Sequence, residues 1–245
     1  MGLIEAVLGD ITEQRVDAIV TAANESLTGG GGVDGAVHRA AGPRLAEAGA
    51  ALAPCLPGNA VATPAFDLAP VKHVIHTVGP VWEGGGHGEA KVLASCYQNS
   101  LLVAEELRVR SIAFPAVATG VYGYPAAEAA AIAAWAVRST PSDFAEIRLV
   151  AFDEETYSLL ADAVRAPVVE HCGTCGEVGV PILFGLPTAH AVAAGEAGRL
   201  KLAGCVVHGD GSDPQWECPN GHQWTNNDPD DLRVLVAITE AVDGY

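Results

Sequence analysis

A run of four consecutive glycines, residues 29–32, constrains this chain more than any other stretch. It follows an apolar segment typical of a β-strand, residues 18–20, and precedes a predicted helix that begins near Val33. Glycine adopts backbone conformations with positive φ and lets the main chain approach a ligand closely. The helix that follows presents unpaired N–H groups and a partial positive charge at its first turn. A strand, a glycine loop and a helix in this order predict a binding site for an anion, most often phosphate.

The charge balance narrows the class of partner. The 245 residues include 13 Lys and Arg against 30 Asp and Glu, a formal net charge of −17 at pH 7. Such a surface repels nucleic-acid backbones and anionic membranes, which argues against both as partners. One anionic small molecule stays compatible, because backbone amides bind phosphate without basic side chains. A secretory signal and an apolar run of the ~18 residues that span a membrane are both absent from the sequence, so we expect a cytoplasmic location.

Strand-like and helix-like segments alternate over the first two thirds of the chain. The segment from residue 89, for example, places Leu93, Tyr97 and Leu101 at helical spacing. The alternation predicts an α/β domain over residues 1–166, with helices covering both faces of a largely parallel or mixed sheet. Ligands of such sheets bind beyond the carboxyl ends of the strands. From residue 167 to 245 the chain holds four of its six cysteines and few long periodic segments, which indicates a second, smaller domain.

Several separate motifs of residues 1–165 resemble the MacroD-type macrodomain family and occur in the family's order. They are residues 9–12, 16–24, 29–38, 74–80 and 114–125. Because five motifs agree, the resemblance is specific. It implies a three-layer α/β/α fold with a mixed sheet and a pocket for ADP-ribose.

The resemblance also implies roles for individual residues. Asp10 and Ile11 would contact the adenine, and Phe152 is a further candidate contact. The diphosphate would lie between two loops, whose residues are Gly30, Gly31, Gly32 and Val33 on one side and Thr119, Gly120, Val121 and Tyr122 on the other. Tyr122 would also pack against the distal ribose.

Asn24 and Asp34 flank the glycine loop and are the candidate catalytic residues. By resemblance, Asn24 would bind the distal ribose, and the chain would remove ADP-ribose from modified acidic side chains of proteins, with deacetylation of O-acetyl-ADP-ribose as a second reaction. Hydrolysis needs a positioned water, which Asp34 can orient or deprotonate; general-base help typically contributes ~10²–10⁴-fold. The substrate's own phosphate is the alternative activator of that water. We expect neither route to require a cofactor.

Two other classes of function remain as alternatives. A non-catalytic reader would bind ADP-ribose and act as an adaptor, but it would have no need of the Asp34 carboxylate beside the ribose. A metalloenzyme would need metal ligands near the pocket, and residues 1–165 contain no evident cluster of them. We interpret His38, His73 and His76 as structural. Thr21 and Ala118 stand where the family usually has Asn and Ser, which bears on substrate preference.

The second domain carries two pairs of residues with metal-ligand spacing. Cys172 and Cys175 form one pair and Cys218 and His222 the other, a set that suits a structural, four-coordinate zinc site. We therefore expect a zinc-ribbon-like domain over residues 167–245, with a possible protein partner. The competing ligands are Cys205 and His208, followed by His171 and His190. A final helix is predicted from Asp228 onward.

Overall fold

The computed structural model describes residues 3–140, 143–165, 170–204, 213–225, 237–238 and 241–242. The chain divides into two compact units, Met1–Arg165 and Ala166–Tyr245. Each unit has its own apolar core clusters. Of the helices within these described ranges, none is long and apolar enough to cross a membrane.

The first unit contains a six-stranded sheet. Its strands are β1 (Leu3–Leu8), β2 (Ala18–Ala22), β3 (Ala60–Pro64), β4 (His73–Thr77), β5 (Ser111–Pro115) and β6 (Glu146–Ala151). They lie in the order β1-β6-β5-β2-β4-β3. Neighbouring strands pair in parallel except β3 and β4, which are antiparallel. The predicted mixed sheet is therefore confirmed.

Helices cover both faces of this sheet and complete the expected three layers. They are α1 (Gly32–Ala41), α2 (Pro43–Ala50), α3 (Glu89–Glu106), α4 (Ala126–Ser139) and α5 (Glu154–Arg165). The core on one face joins the sheet to α3, α4 and α5, and the core on the other face joins it to α1 and α2. Because β2 is buried on both faces, Val20 packs into the first core and Ile19 into the second. This two-sided burial explains why β2 is apolar throughout rather than alternating.

The loops that carry the candidate residues follow the carboxyl ends of the strands. The glycine loop connects the end of β2 to α1, and residues 116–125 connect the end of β5 to α4. Since β2 and β5 are neighbours in the sheet and run in parallel, both loops emerge at the same edge. The fold thus places two glycine-bearing loops at the position where open α/β sheets bind ligands.

The second unit is built on short strands around β8 (Val178–Leu183). The other elements are β7 (Glu170–His171), α6 (Ala189–Glu196), β9 (Lys201–Leu202), β10 (Trp216–Glu217) and β11 (Gln223–Trp224). β8 pairs antiparallel with β7 and β10 and parallel with β9, while β11 pairs antiparallel with β10. Trp216 is fully buried in one of the two apolar clusters formed by the described residues of this unit.

The final helix predicted from Asp228 onward lies largely outside the described residues. Four residues of that segment are described, and they are helical: Ala237, Ile238, Ala241 and Val242. They pack in the two apolar clusters of the second unit.

Gly49 allows α2 to approach the loop between β2 and α1 closely. A Cβ at this position would overlap the carbonyl oxygen of Leu27, which belongs to the backbone and has little freedom to move. Replacing Gly by Ala inside a helix ordinarily adds ~1 kcal/mol of stability, whereas overpacking a rigid neighbour costs ~1–3 kcal/mol. We expect Gly49→Ala to lower the free energy of unfolding by up to about 2 kcal/mol in a urea titration. Gly86→Ala is the control, because its Cβ would meet no atom within 4 Å; a stabilised Gly49→Ala would contradict the expectation.

Candidate active site

A cavity of about 270 Å³ opens in the first unit. Its lining comprises Ala22, Ala23, Asn24, Gly30, Gly31, Gly32, Val33, Asp34, Gly79, Ala116, Ala118, Gly120, Val121 and Tyr122. Both candidate catalytic residues and seven of the eight candidate diphosphate contacts are therefore in one cavity. The eighth, Thr119, lies beside the lining and donates its hydroxyl hydrogen to the carbonyl of Ala116.

The glycine loop lies directly on the first turns of α1. A Cβ on Gly35 would lie 2.6 Å from the carbonyl oxygen of Gly30, and a Cβ on Gly29 would lie 3.3 Å from the ring of His38. Gly29 and Gly32 have φ of 97° and 56°, conformations that side chains disfavour. The N-cap of α1 is Gly31, which has no side chain to cap the first turn. The first N–H groups of α1 are therefore left for a ligand.

The opposite wall of the cavity is the loop after β5. It turns back on itself through hydrogen bonds from Gly123 N–H to the Gly120 carbonyl and from Tyr124 N–H to the Ala118 carbonyl. Ala118 has a φ of 66°, and its Cβ faces Gly79, where an added Cβ would lie 2.9 Å away. These contacts hold the turn 120–123 at the rim of the cavity.

The side chain of Asn24 is largely engaged in holding the loop itself. Its Oδ1 accepts hydrogen bonds from the N–H groups of Ser26 and Leu27 and from the Ser26 hydroxyl. Its Nδ2 donates to the carbonyl of Gly29 at 3.1 Å. One hydrogen of this amide is left over, and Asn24 also lines the cavity.

Asp34 is 2% exposed at the floor of the cavity. Its Oδ1 accepts a hydrogen bond from the Thr21 hydroxyl at 3.0 Å and lies 3.6 Å from Nε2 of His38. Its Oδ2 is buried without a hydrogen-bond partner among the described residues. Burial raises the pKa of Asp34, while His38 and the Thr21 hydroxyl oppose the rise. The carboxylate is thus held through one oxygen and has the other unused, as a proton acceptor requires.

Two histidines lie directly behind Asp34, contrary to the sequence expectation that residues 1–165 hold no cluster of ligand-type residues. One carboxylate oxygen of Asp34 and one ring nitrogen each of His38 and His76 lie within 4.8 Å of one another. The expectation was wrong because His76 is far away in sequence. The parallel register of β2 and β4 sets it opposite Thr21 and so beside Asp34.

The candidate adenine contacts lie outside the lining of the cavity, at the ends of two neighbouring strands. β1 and β6 pair in parallel with Leu8 opposite Ala151, so Asp10 and Phe152 follow adjacent strand ends. Asp10 caps a 3₁₀ turn, its Oδ1 accepting from the N–H and hydroxyl of Thr12 at 2.8 and 2.7 Å. Ile11 is buried, whereas Phe152 is 83% exposed. A large aromatic ring so exposed is available for stacking.

The second unit brings together the four predicted metal ligands. Their ligand atoms all lie within 4.8 Å of one another, with 3.6 Å between the sulfurs of Cys175 and Cys218 and 3.5 Å from Nδ1 of His222 to the sulfurs of Cys172 and Cys218. A tetrahedron with metal–ligand distances of about 2.0–2.3 Å has edges of about 3.5–3.8 Å. The cluster therefore has the dimensions of a four-coordinate metal site.

Two glycine-bearing turns shape this cluster. The N–H of Gly176 donates to the carbonyl of Cys172, and the N–H of Gly221 donates to the carbonyl of Cys218. The side chain of Asn220 hydrogen-bonds Cys175, which lowers the pKa of that thiol. Of the competing ligands, Cys205, His208 and the side chain of His171 lie outside the described residues, and His190 on α6 is not part of the cluster.

Comparison with known proteins agrees with the geometry of the first unit. The Macro domain family model matches residues 20–133. A macro domain-containing protein of Chlorobaculum tepidum is 59% identical over 150 residues, covering 61% of this chain and 87% of that protein. The chain belongs to the macrodomain family. An O-acetyl-ADP-ribose deacetylase of Salmonella newport is 53% identical over 165 residues, covering 64% of this chain and 92% of that protein.

Solved macrodomain structures show the same likeness. A macrodomain of Oceanobacillus iheyensis with ADP is 40% identical with a TM-score of 0.64, covering 67% of this chain and 90% of that one. A Trypanosoma brucei macrodomain in complex with ADP-ribose is 38% identical with a TM-score of 0.61, covering 66% of this chain and 68% of that one. These matches leave about a third of the chain uncovered.

The buried state of His76 predicts a pH dependence of stability. Burial, assisted by His38, lowers the pKa of His76 from 6.5 to about 4. Between these values the unfolded chain binds a proton that the folded chain does not, so the free energy of unfolding falls as the pH falls from about 6.5 to about 4. This difference between the unfolded and folded pKa values of His76 corresponds to about 3 kcal/mol in the free energy of unfolding.

We expect His76→Phe to flatten this dependence, as measured by urea unfolding at a series of pH values. His87→Gln is the control, because His87 is exposed on a surface loop. The comparison of slopes removes the contribution of groups that all variants share. An unaltered slope in His76→Phe would contradict the assignment.

Proposed function

We propose that the first unit is a hydrolase of ADP-ribose esters, which removes ADP-ribose from modified acidic side chains of proteins and also deacetylates O-acetyl-ADP-ribose. The observation that carries the proposal is the Oδ2 atom of Asp34, a buried carboxylate oxygen at the floor of the cavity that has no partner in the part of the chain that the structure describes. Relatives named O-acetyl-ADP-ribose deacetylase and the solved complexes of macrodomains with ADP and ADP-ribose support the class of ligand.

The two loops suit the diphosphate of ADP-ribose. The free N–H groups at the start of α1 face the cavity from one side, and the turn 120–123 closes it from the other. Backbone amides at a helix start bind phosphate without basic side chains, which fits the acidic character of this chain. In the same pose, Asp10, Ile11 and Phe152 would hold the adenine, and the remaining Asn24 amide hydrogen would bind the distal ribose.

The proposed reaction uses one water molecule. Asp34 takes a proton from the water through Oδ2 as the water oxygen attacks the acyl carbon of the ester. The tetrahedral intermediate then expels the ribose oxygen, which takes up the proton from Asp34, and the products are a free carboxylic acid and ADP-ribose. General-base assistance of this kind is typically worth ~10²–10⁴-fold. In the second route a phosphate oxygen of the substrate takes the proton, and Asp34 orients the water.

The alternative function is a reader that binds ADP-ribose without cleaving it. Asn24 and the two loops would serve a reader equally well. The burial of Asp34 favours the enzyme, because a buried ionisable group with a raised pKa is costly to keep at a site that only binds.

Asp34→Asn separates the enzyme from the reader. We expect turnover of both an ADP-ribosylated acidic protein and O-acetyl-ADP-ribose to fall ~10²–10⁴-fold, because Asn offers no proton acceptor of comparable basicity. The affinity for ADP-ribose, measured by calorimetry, should change little. Asp162→Asn is the matched control, since Asp162 is 77% exposed on α5. Retained turnover in Asp34→Asn would leave the substrate phosphate as the activator.

We further propose that the cluster of the second unit binds one structural zinc ion. Three thiolates and one imidazole fill all four positions of a tetrahedron, so such an ion has no open position for substrate. The residues present fit the ion, because the spacing of their ligand atoms matches a tetrahedral site. The ion would stabilise the second unit by holding its short strands together. It would take no part in the reaction of the first unit.

Native mass spectrometry of the full chain tests this assignment. We expect one zinc ion per chain in the wild type and in His190→Gln, and none in Cys172→Ser. Loss of the ion should unfold the second unit and leave ADP-ribose binding by the first unit intact, because the cavity lies wholly among residues 22–122. A metal content that is unaffected by Cys172→Ser would remove the site.

A further inference from the structure

Asp34 and the two histidines behind it each carry one buried atom that is without a hydrogen-bond partner among the described residues. These atoms are Oδ2 of Asp34, Nε2 of His38 and Nδ1 of His76. His76 is fully buried and Nε2 of His38 is buried as well, so bulk solvent does not satisfy the two ring nitrogens, whereas Asp34 lines the cavity. Buried polar atoms are normally paired, and three exceptions at one place beside a candidate base indicate that they act together.

His76 contacts Thr63 on β3 through one of its ring nitrogens. Its Nε2 lies 2.9 Å from the hydroxyl oxygen of Thr63, and that hydroxyl in turn donates to the carbonyl of Val74 at 3.5 Å. With the hydroxyl hydrogen directed at this carbonyl, the Thr63 oxygen accepts a hydrogen bond from Nε2–H of His76, and this is the tautomer on which the role of His76 depends. The other ring nitrogen, Nδ1, then has a lone pair directed into the cluster.

His38 consequently faces two acceptors. Oδ1 of Asp34 lies 3.6 Å from Nε2 of His38, and the ring of His76 lies 6.2 Å from the ring of His38, centroid to centroid and nearly edge-on. A proton on Nε2 of His38 is attracted by both neighbours. A bare Nε2 would set its lone pair against those of Asp34 Oδ1 and the His76 ring, away from bulk solvent.

We propose that His76 is a positioning residue for the hydrolase reaction, which keeps the ring proton of His38 on Nε2 and thereby holds Asp34. This inference rests on the role of Asp34 in the proposed function. Thr21 donates a hydrogen bond to Oδ1 of Asp34, the Nε2 proton of His38 attracts the same oxygen from 3.6 Å, and Oδ2 remains directed at the substrate. Without the lone pair of His76, the His38 proton can move to Nδ1, and the bare Nε2 then repels the carboxylate.

A matched pair of substitutions separates this role from simple packing. His76→Asn places a carbonyl oxygen near the position of Nδ1 and loses the contact with Thr63. His76→Gln reaches the position of Nε2, keeps the contact with Thr63 and loses the acceptor at Nδ1. We expect His76→Asn to retain most of kcat and His76→Gln to lose about 10- to 100-fold, with ADP-ribose affinity unchanged in both. The opposite order would overturn the proposal, because it would make the Thr63 contact the important one.

Nitrogen-detected NMR of the histidine rings in the wild-type full chain decides the question independently of activity and of any variant's stability. We expect Nε2–H on both His38 and His76, with Nδ1 of His76 unprotonated. A proton on Nδ1 of His38 would overturn the proposal. So would a second metal ion per chain that is lost in His76→Gln, because the ion would then occupy the lone pairs. A wild type without hydrolase activity would instead refute the proposed function and leave the proton positions measurable.

Discussion

Close contact between the glycine loop and α1 is the constraint on which the rest of the site depends. Because Gly35 has no side chain, the carbonyl oxygen of Gly30 can approach it closely. A Cβ on Gly35 would lie only 2.6 Å from that oxygen. The loop therefore rests on the helix, and Asp34, the residue before Gly35, is placed at the cavity floor. The same contact keeps the N–H groups that face an anion within reach of the carboxylate.

Burial of Asp34 makes its carboxylate reactive, and it also imposes the main energetic cost of the site, the loss of hydration. A carboxylate out of water must be compensated by hydrogen bonds, and here Thr21 supplies one to Oδ1 while His38 lies close by. Compensation through a single oxygen leaves Oδ2 without a partner within the described ranges. Oδ2 can therefore accept a hydrogen bond from a water molecule or a substrate hydroxyl that occupies the cavity.

The second unit has a small apolar core, and a bound metal ion would supply part of its stability. Its described strands are short, most of them two residues long, and its buried clusters are small compared with those of the first unit. Small domains rarely obtain enough stability from such cores and commonly use a metal as a staple. The compared relatives extend over about two thirds of the chain, so this unit is an addition to the part that the macrodomain family explains.

The sequence by itself determined an α/β sheet with helical layers, two glycine-bearing loops and a four-ligand cluster, because local spacing carries each of them: periodic apolar residues, glycines after strands, and ligand-type residues in closely spaced pairs. That the sheet is mixed rather than largely parallel followed only from the resemblance to macrodomains. The contacts of Asp34 with His38 and of Asn24 with its own loop are local. Tertiary structure alone decided that His76 joins Asp34 and that one oxygen of Asp34 stays without a partner among the described residues. These facts follow from the register of β2 against β4 and from the approach of α1 to the sheet. Contacts between residues distant in sequence leave no periodic signal, so a local pattern does not contain them.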